Sequence, residues 1–144
     1  MILAGRKLNN NMGSYVAEQV TELMSKKGIQ VINSNILIMG LTFKENCPDH
    51  RNTRVIDLIK KFKSFNCEVD TYDPWVDKNK FFNIHNIQPI DEPTKGKYDA
   101  IILAVAHDEF KALTSEQIRA FGKSNHILYD IKYLLKASES DGRL

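Results

Sequence analysis

The 144 residues are 42% hydrophobic and 26% charged, the balance of a soluble globular domain long enough to bury a sizeable core. A formal net charge of +2 is too small to argue for nucleic acid, and no apolar run reaches the roughly 18 residues a membrane span needs. Cys47 and Cys67 lie far apart without metal-ligand spacing, so neither a disulfide framework nor a zinc site is expected and a reducing cytoplasm is the default location.

The first thirty residues read as a long helix. Leu8, Met12, Tyr15, Val16, Val20, Leu23 and Met24 recur at spacings of three and four, and Gly28 offers a stop. No signal peptide is visible, because the opening Met-Ile-Leu-Ala meets Gly5 and Arg6 at once. The apolar stripe is wide for a leading helix, so residues 6–27 are expected to project from the body or to pack on a partner chain. The pattern changes near residues 30–35, the candidate boundary between a helical region over 1–32 and an α/β body over 33–144.

Ile36 to Met39, ending at Gly40, suits a buried strand. A polar loop over 41–52 leads to an amphipathic helix from about Thr53, with Val55, Leu58, Ile59, Phe62 and Phe65 on one face. Cys67 to Tyr72 is the next strand, closed by the turn pair Asp73-Pro74. Residues 76–97 read as irregular, with a candidate short strand over Ile87 to Ile90. Tyr98 to Ala106 is the strongest strand, because Ile101 to Val105 run unbroken, as in a parallel strand covered on both faces. Thr114 and Gln117 predict a capping box for a helix to about Phe121. His126 to Asp130 is the last predicted strand, and the tail from Ser138 reads as frayed. The alternation predicts a three-layer, Rossmann-like α/β domain with a mostly parallel sheet, compact over residues 33–136.

Ligands of open parallel sheets bind at the carboxyl ends of the strands. Those positions carry Phe43, Lys44, Asp49, Arg51 and Arg54 after the first strand, and Asp73 and Trp75 after the second. His107 and Asp108 follow the long strand, and Asp130 and Lys132 the last. Cations beside a helix N-terminus, with its free N–H groups, argue for an anion, most simply a nucleotide diphosphate. Each residue also has a plainer reading. Lys44 and Arg51 could pair with Glu45 and Asp49, His107 could be a satisfied structural histidine, and Trp75 could be a hydrophobic plug as readily as a stacking platform. Cys47 has no base placed to activate it. No Gly-x-Gly-x-x-Gly follows Gly40, which argues against a dinucleotide held as in a first Rossmann half.

The run Gly40-Leu-Thr-Phe-Lys-Glu-Asn-Cys-Pro-Asp-His-Arg-Asn-Thr-Arg resembles the signature of the UDP-glucose/GDP-mannose dehydrogenase family, carboxy-terminal domain. Phe-Lys-Glu-Asn-Cys-Pro-Asp is similar to the branch acting on UDP-N-acetylhexosamines in bacterial surface polysaccharide synthesis. Weaker support comes from Ala4-Gly5-Arg6-Lys7-Leu8-Asn9 with Asn11-Met12-Gly13, from Tyr72-Asp73-Pro74 and from Tyr129-Asp130-Ile131-Lys132. The resemblance covers essentially the whole chain. It implies a four-electron oxidation of a sugar C6 alcohol to a carboxylate with two NAD, the NAD bound mainly by an amino-terminal half absent from this chain. It also implies a homodimer through the first helix, with no nucleic acid or membrane partner. Phe43, Lys44 and Lys132 are implied to bind the UDP-sugar and Arg51 to reach the NAD. Lys132 stands near a family arginine, and lysine lacks that residue's bidentate fork. The nucleophilic cysteine of the family lies in a motif absent here, so the chain alone is expected to be inactive. Its opening Met is expected to be an expression start within a longer enzyme.

Two other readings compete. A phospho-receiver needs clustered acids after its first strand to hold Mg²⁺, where this chain carries Lys44 and arginines. A non-catalytic nucleotide-binding or dimerisation module of α/β fold is the alternative, and a pure dimerisation or scaffold module built on the first helix would leave the basic loop without a purpose.

Overall fold

Both faces of the strands are apolar because both are covered. Ile36, Ile38, Ala100, Ile102, Ile127 and Tyr129 face one core, and Leu37, Met39, Ile101, Leu103 and Leu128 face the other. A computed structural model describes residues 12–51 and 53–144. Its strands are β1 (Asn35–Met39), β2 (Glu68–Tyr72), β3 (Tyr98–Leu103), β4 (Gly122–Asp130) and β5 (Gly142–Arg143). They form one sheet of order β2-β1-β3-β4-β5, and every pairing is parallel. Helices α1 (Met12–Lys26) and α2 (Val55–Ser64) cover one face. Phe81 of α3 (Lys78–His85) joins that core. Phe110 of α4 (Asp108–Lys111) and Ile118 of α5 (Ser115–Arg119) cover the opposite face. The three-layer, Rossmann-like α/β fold expected from the strand-helix alternation is the fold observed.

The leading helix departs from expectation. Its described part is the fifteen residues of α1, and Leu8 with the rest of residues 1–11 lies outside the described residues. Val16, Ala17, Val20 and Met24 are fully buried in the same core as Ile36 and Ile102, so this part does not project and its inner face is covered within the chain. The wide apolar stripe has a simple cause: it meets both α2 and the sheet. A Cβ on Gly13 would lie 2.6 Å from the backbone nitrogen of Leu58, so α1 crosses α2 at a distance that only glycine permits. The Gly28 stop is present: Gly28 N–H donates to Ser25 O at 3.1 Å and Ile29 N–H to Met24 O at 2.8 Å, with Ile29 and Met24 buried together.

Three further expectations are corrected. The segment 76–97 is not irregular throughout, because Asp77 caps α3 by accepting from Lys80 N–H, and Asn86 closes it in the left-handed region. The candidate strand at 87–90 is absent; Pro89 has no N–H to give a ladder, and Ile90 N–H alone reaches Thr71 O. The tail is not frayed. A 3₁₀ turn over Ala137–Glu139 leads into β5, held by Asp141. Burial pushes the Asp141 carboxyl up, but Leu128 N–H, Arg119 and Lys27 together outweigh that and hold it below the ordinary range. Thr114 and Gln117 do form the predicted capping box, at the start of α5.

One buried polar atom has no partner among the described residues: Thr71 Oγ1, 1% exposed and in register with Ile38. Its hydroxyl gives up water and gains nothing in return. Thr71→Val is therefore expected to stabilise the chain by about 1 kcal/mol, read as a higher urea midpoint at unchanged slope. A lower midpoint would mean that the hydroxyl is satisfied.

Candidate functional site at the carboxyl edge of the sheet

Strand order reverses between β1 and β3. The chain leaves β1 toward β2 and later returns to the other side of β1 as β3, which opens a crevice at their carboxyl ends. The two ends are close. Met39 is in register with Leu103, and Ala104 N–H donates to Met39 O at 2.9 Å. Gly40 sits at φ +108°, and a Cβ there would lie 2.7 Å from Val105 N. Gly40 thus serves close packing of strand ends rather than a dinucleotide turn.

The floor of the crevice is a buried polar network. His107 is fully buried; its Nδ1 accepts from Asn46 N–H at 2.9 Å, and its Nε2 lies 2.8 Å from Asp73 Oδ2. The Asn46 donor assigns the proton to Nε2, which donates to Asp73. The same Asp73 oxygen accepts Leu41 N–H at 2.7 Å, and the other accepts Trp75 N–H at 2.7 Å. His107 is thus the satisfied structural histidine. Trp75 stacks on it with ring centroids 6.0 Å apart and ties its indole N–H to Glu109.

This network anchors the loop after β1 at Leu41 and at Asn46. Phe43 and Lys44 lie between those anchors and point outward. Phe43 is 60% exposed, and the exposed Lys44 makes no ion pair among the described residues. Phe43 N–H closes the loop on Asp49 O at 2.8 Å. Arg51 does take the plainer pairing, with its Nε 3.3 Å from Asp49 Oδ1. Hydrogen bonds from the Arg51 backbone and guanidinium hold the Asp49 carboxyl below its ordinary value. Helix α2 begins at Val55 with Arg54 at its N-cap position, so Arg51 lies outside the helix.

Lys132 follows β4, two strands from β1 and so about 10 Å along the same edge. Buried Asp130 shapes its turn by accepting from Lys132 N–H and Leu135 N–H. The structure therefore brings Phe43, Lys44 and Lys132 to one edge. Arg51 lines a neighbouring groove of about 480 Å³ with Cys47, His50, Trp75, Lys80 and Ile84. Lys80 and Ile84 were missed because α3 was missed; Asp77 and its cap were the available signal. Among the described residues no cluster of three or more His, Cys, Asp or Glu could hold a metal, and no helix is long and apolar enough to cross a membrane.

His50 joins this loop to α3. Its Nδ1 lies 3.3 Å from His85 Nε2, and it is 6% exposed beside Phe81. Burial, then the charge of His85, pushes its pKa below the ordinary histidine value. A histidine depressed in the folded state stabilises fully above its unfolded value and loses that contribution as pH falls through the folded one. Stability should therefore decline below about pH 6.5 with a slope of at most about 1.4 kcal/mol per pH unit from this group. His50→Gln should flatten that limb in urea titrations at several pH values. An unchanged slope would remove His50 from the account.

Residues 37–137 match the model of the UDP-glucose/GDP-mannose dehydrogenase family, UDP binding domain. The whole chain is 55% identical to a UDP-N-acetyl-D-glucosamine 6-dehydrogenase of Salmonella typhi and 51% identical to one of Pseudomonas aeruginosa. It spans 34% of the length of each. Among solved structures, a UDP-D-ManNAc dehydrogenase of Pyrococcus horikoshii superposes with a TM-score of 0.74 at 26% identity, over 96% of this chain and 31% of that one. An NDP-N-acetyl-D-galactosaminuronic acid dehydrogenase of Methanosarcina mazei, 19% identical, shares the fold with a TM-score of 0.79 over 95% of this chain and 28% of that one. The chain belongs to the UDP-glucose/GDP-mannose dehydrogenase family and is its UDP binding domain.

Proposed function

We propose that this chain is the substrate-binding part of an NAD-dependent UDP-N-acetylhexosamine 6-dehydrogenase, which oxidises the sugar C6 alcohol to a carboxylate for surface polysaccharide synthesis. The observation that carries the reading is the exposed Lys44, without an ion pair among the described residues and held with Phe43 between two anchors at the switch in strand order. An anchored loop with an exposed cation and an exposed aromatic suits a nucleotide: the cation meets phosphate, and the ring offers a face. Lys132 adds charge on the same edge. Relatives of three times this length carry the dehydrogenase name, which supports an additional half that holds most of the NAD.

NAD, when bound, accepts hydride from the substrate carbon. In this reading Arg51 is the residue of this chain that contacts it, and its exposed side chain on the groove beside the crevice supports that role. Among the described residues of the crevice none offers an activated nucleophile. Cys47 is a free, half-buried thiol in that groove. Pairing of two copies through the first helix belongs to the same reading. The inner face of α1 is already used within the chain, so the outward face, with Tyr15 39% exposed, is the one left for a partner.

The test compares the 144-residue chain with the complete enzyme. UDP-N-acetylglucosamine and NAD should give no nicotinamide absorbance change with the chain alone and steady turnover with the complete enzyme. Turnover by the pure chain, abolished by Cys47→Ser, would overturn the reading.

A further inference from the structure

Asp141 fastens the end of the chain to the sheet. It accepts from Leu128 N–H at 2.7 Å, Arg119 at 3.1 Å and Lys27 at 3.2 Å, and its own N–H donates to Leu128 O. The two residues that follow form β5, with Arg143 in register with Asp130. Asp130 ends β4 and shapes the turn that carries Lys132. Arg143 therefore reaches the carboxyl edge one strand spacing, about 5 Å, from the root of that turn. Its guanidinium carbon lies 3.8 Å from the centre of the Tyr133 ring. Tyr133 is exposed, with φ +58° and a hydroxyl that donates to Leu144 O.

We propose that Arg143 is a phosphate-binding residue of the nucleotide site and supplies the bidentate fork that Lys132 lacks. The proposal rests on the UDP-sugar reading above. Stacking engages the face of a guanidinium and leaves the N–H groups at its rim directed outward in the plane. Those groups match a pair of phosphate oxygens, and Arg143 has no carboxylate partner among the described residues. A stacked arginine is also held before the ligand arrives, so less conformational freedom is lost on binding. Lys44 beyond β1 and Arg143 on β5 stand three strand spacings apart, about 14 Å, a span suited to an extended nucleotide sugar.

The experiment measures inhibition of the complete dehydrogenase by UDP and by uridine, in wild type, Arg143→Ala, Arg143→Lys and Lys44→Ala. Arg143→Ala should raise the UDP inhibition constant by about 10-fold or more, the loss of a charged hydrogen-bonded contact. Uridine, which lacks phosphate, should change little. Arg143→Lys keeps the charge but not the fork and should still lose about 5-fold on UDP. It decides the matter if the alanine variant melts early. Equal losses for uridine and UDP would make the corner a base platform and overturn the proposal. Loss in Lys44→Ala with none in either Arg143 variant overturns it and leaves the functional reading standing. No loss in any variant removes both.

Discussion

Asp73→Ala is expected to lower unfolding free energy by about 3–5 kcal/mol, because it strands several buried donors at once. Leu41 N–H, Trp75 N–H and the Nε2 proton of His107 all end on this one carboxylate, which is 5% exposed. Each orphaned buried donor costs about 1–3 kcal/mol, and the total is a large share of the roughly 5–15 kcal/mol that holds a domain together. Part of the loss relaxes as water enters, which sets the estimate below the sum. Asp73→Asn should fall between, because its amide nitrogen cannot accept. Urea unfolding at neutral pH is the measurement. A midpoint and slope within error for Asp73→Ala would mean that the network beneath the crevice is ornamental. A further consequence separates this network from ordinary packing. Leu41 and Asn46 are its contacts on either side of Phe43-Lys44. Loosening it should weaken nucleotide binding even at temperatures where the variant is folded.

Most of the fold was legible because burial on both faces leaves an unbroken apolar run, and Ile101–Val105 could be little else. The same logic placed the edge that carries Phe43, Lys44 and Lys132. What escaped was long-range or short. Whether the stripe of α1 meets a partner or its own sheet depends on the approach at Gly13 to Leu58, which pairs residues 45 positions apart. Helix α3 buries Phe81 alone, too little for periodicity to register. Strand β5 is two residues long and owes its place to Asp141, whose donors come from β4, α5 and the turn after α1. The Asp49–Arg51 pairing was visible as an alternative in the sequence, but the choice between a partner and a ligand is made by loop geometry.

Lys44→Ala should weaken use of the UDP-sugar by the complete enzyme about 10- to 100-fold, the equivalent of about 1.5–3 kcal/mol for a hydrogen bond to a charged group. Three features make this a binding effect rather than a folding one. Lys44 is exposed and has no ion pair among the described residues, so its removal strands no charge. The loop's shape is set by its backbone, with Phe43 N–H on Asp49 O, Thr42 Oγ1 donating to Lys44 O, and the two anchors below. A solvated cation adds little to stability until an anion arrives. The melting temperature should therefore stay at the wild-type value while KM for the nucleotide sugar rises. Arg51→Ala should instead act mainly on KM for NAD, because Arg51 faces the neighbouring groove. It should also return the Asp49 carboxyl toward its ordinary value, since the arginine side chain is one of the contacts that hold it down. The two variants are informative as a pair under steady-state kinetics with each substrate varied. If Lys44→Ala leaves both kcat and KM for the nucleotide sugar unchanged, the loop is a solvated surface and the site lies elsewhere. If both variants move the same KM, the division of the edge between substrate and cofactor is wrong.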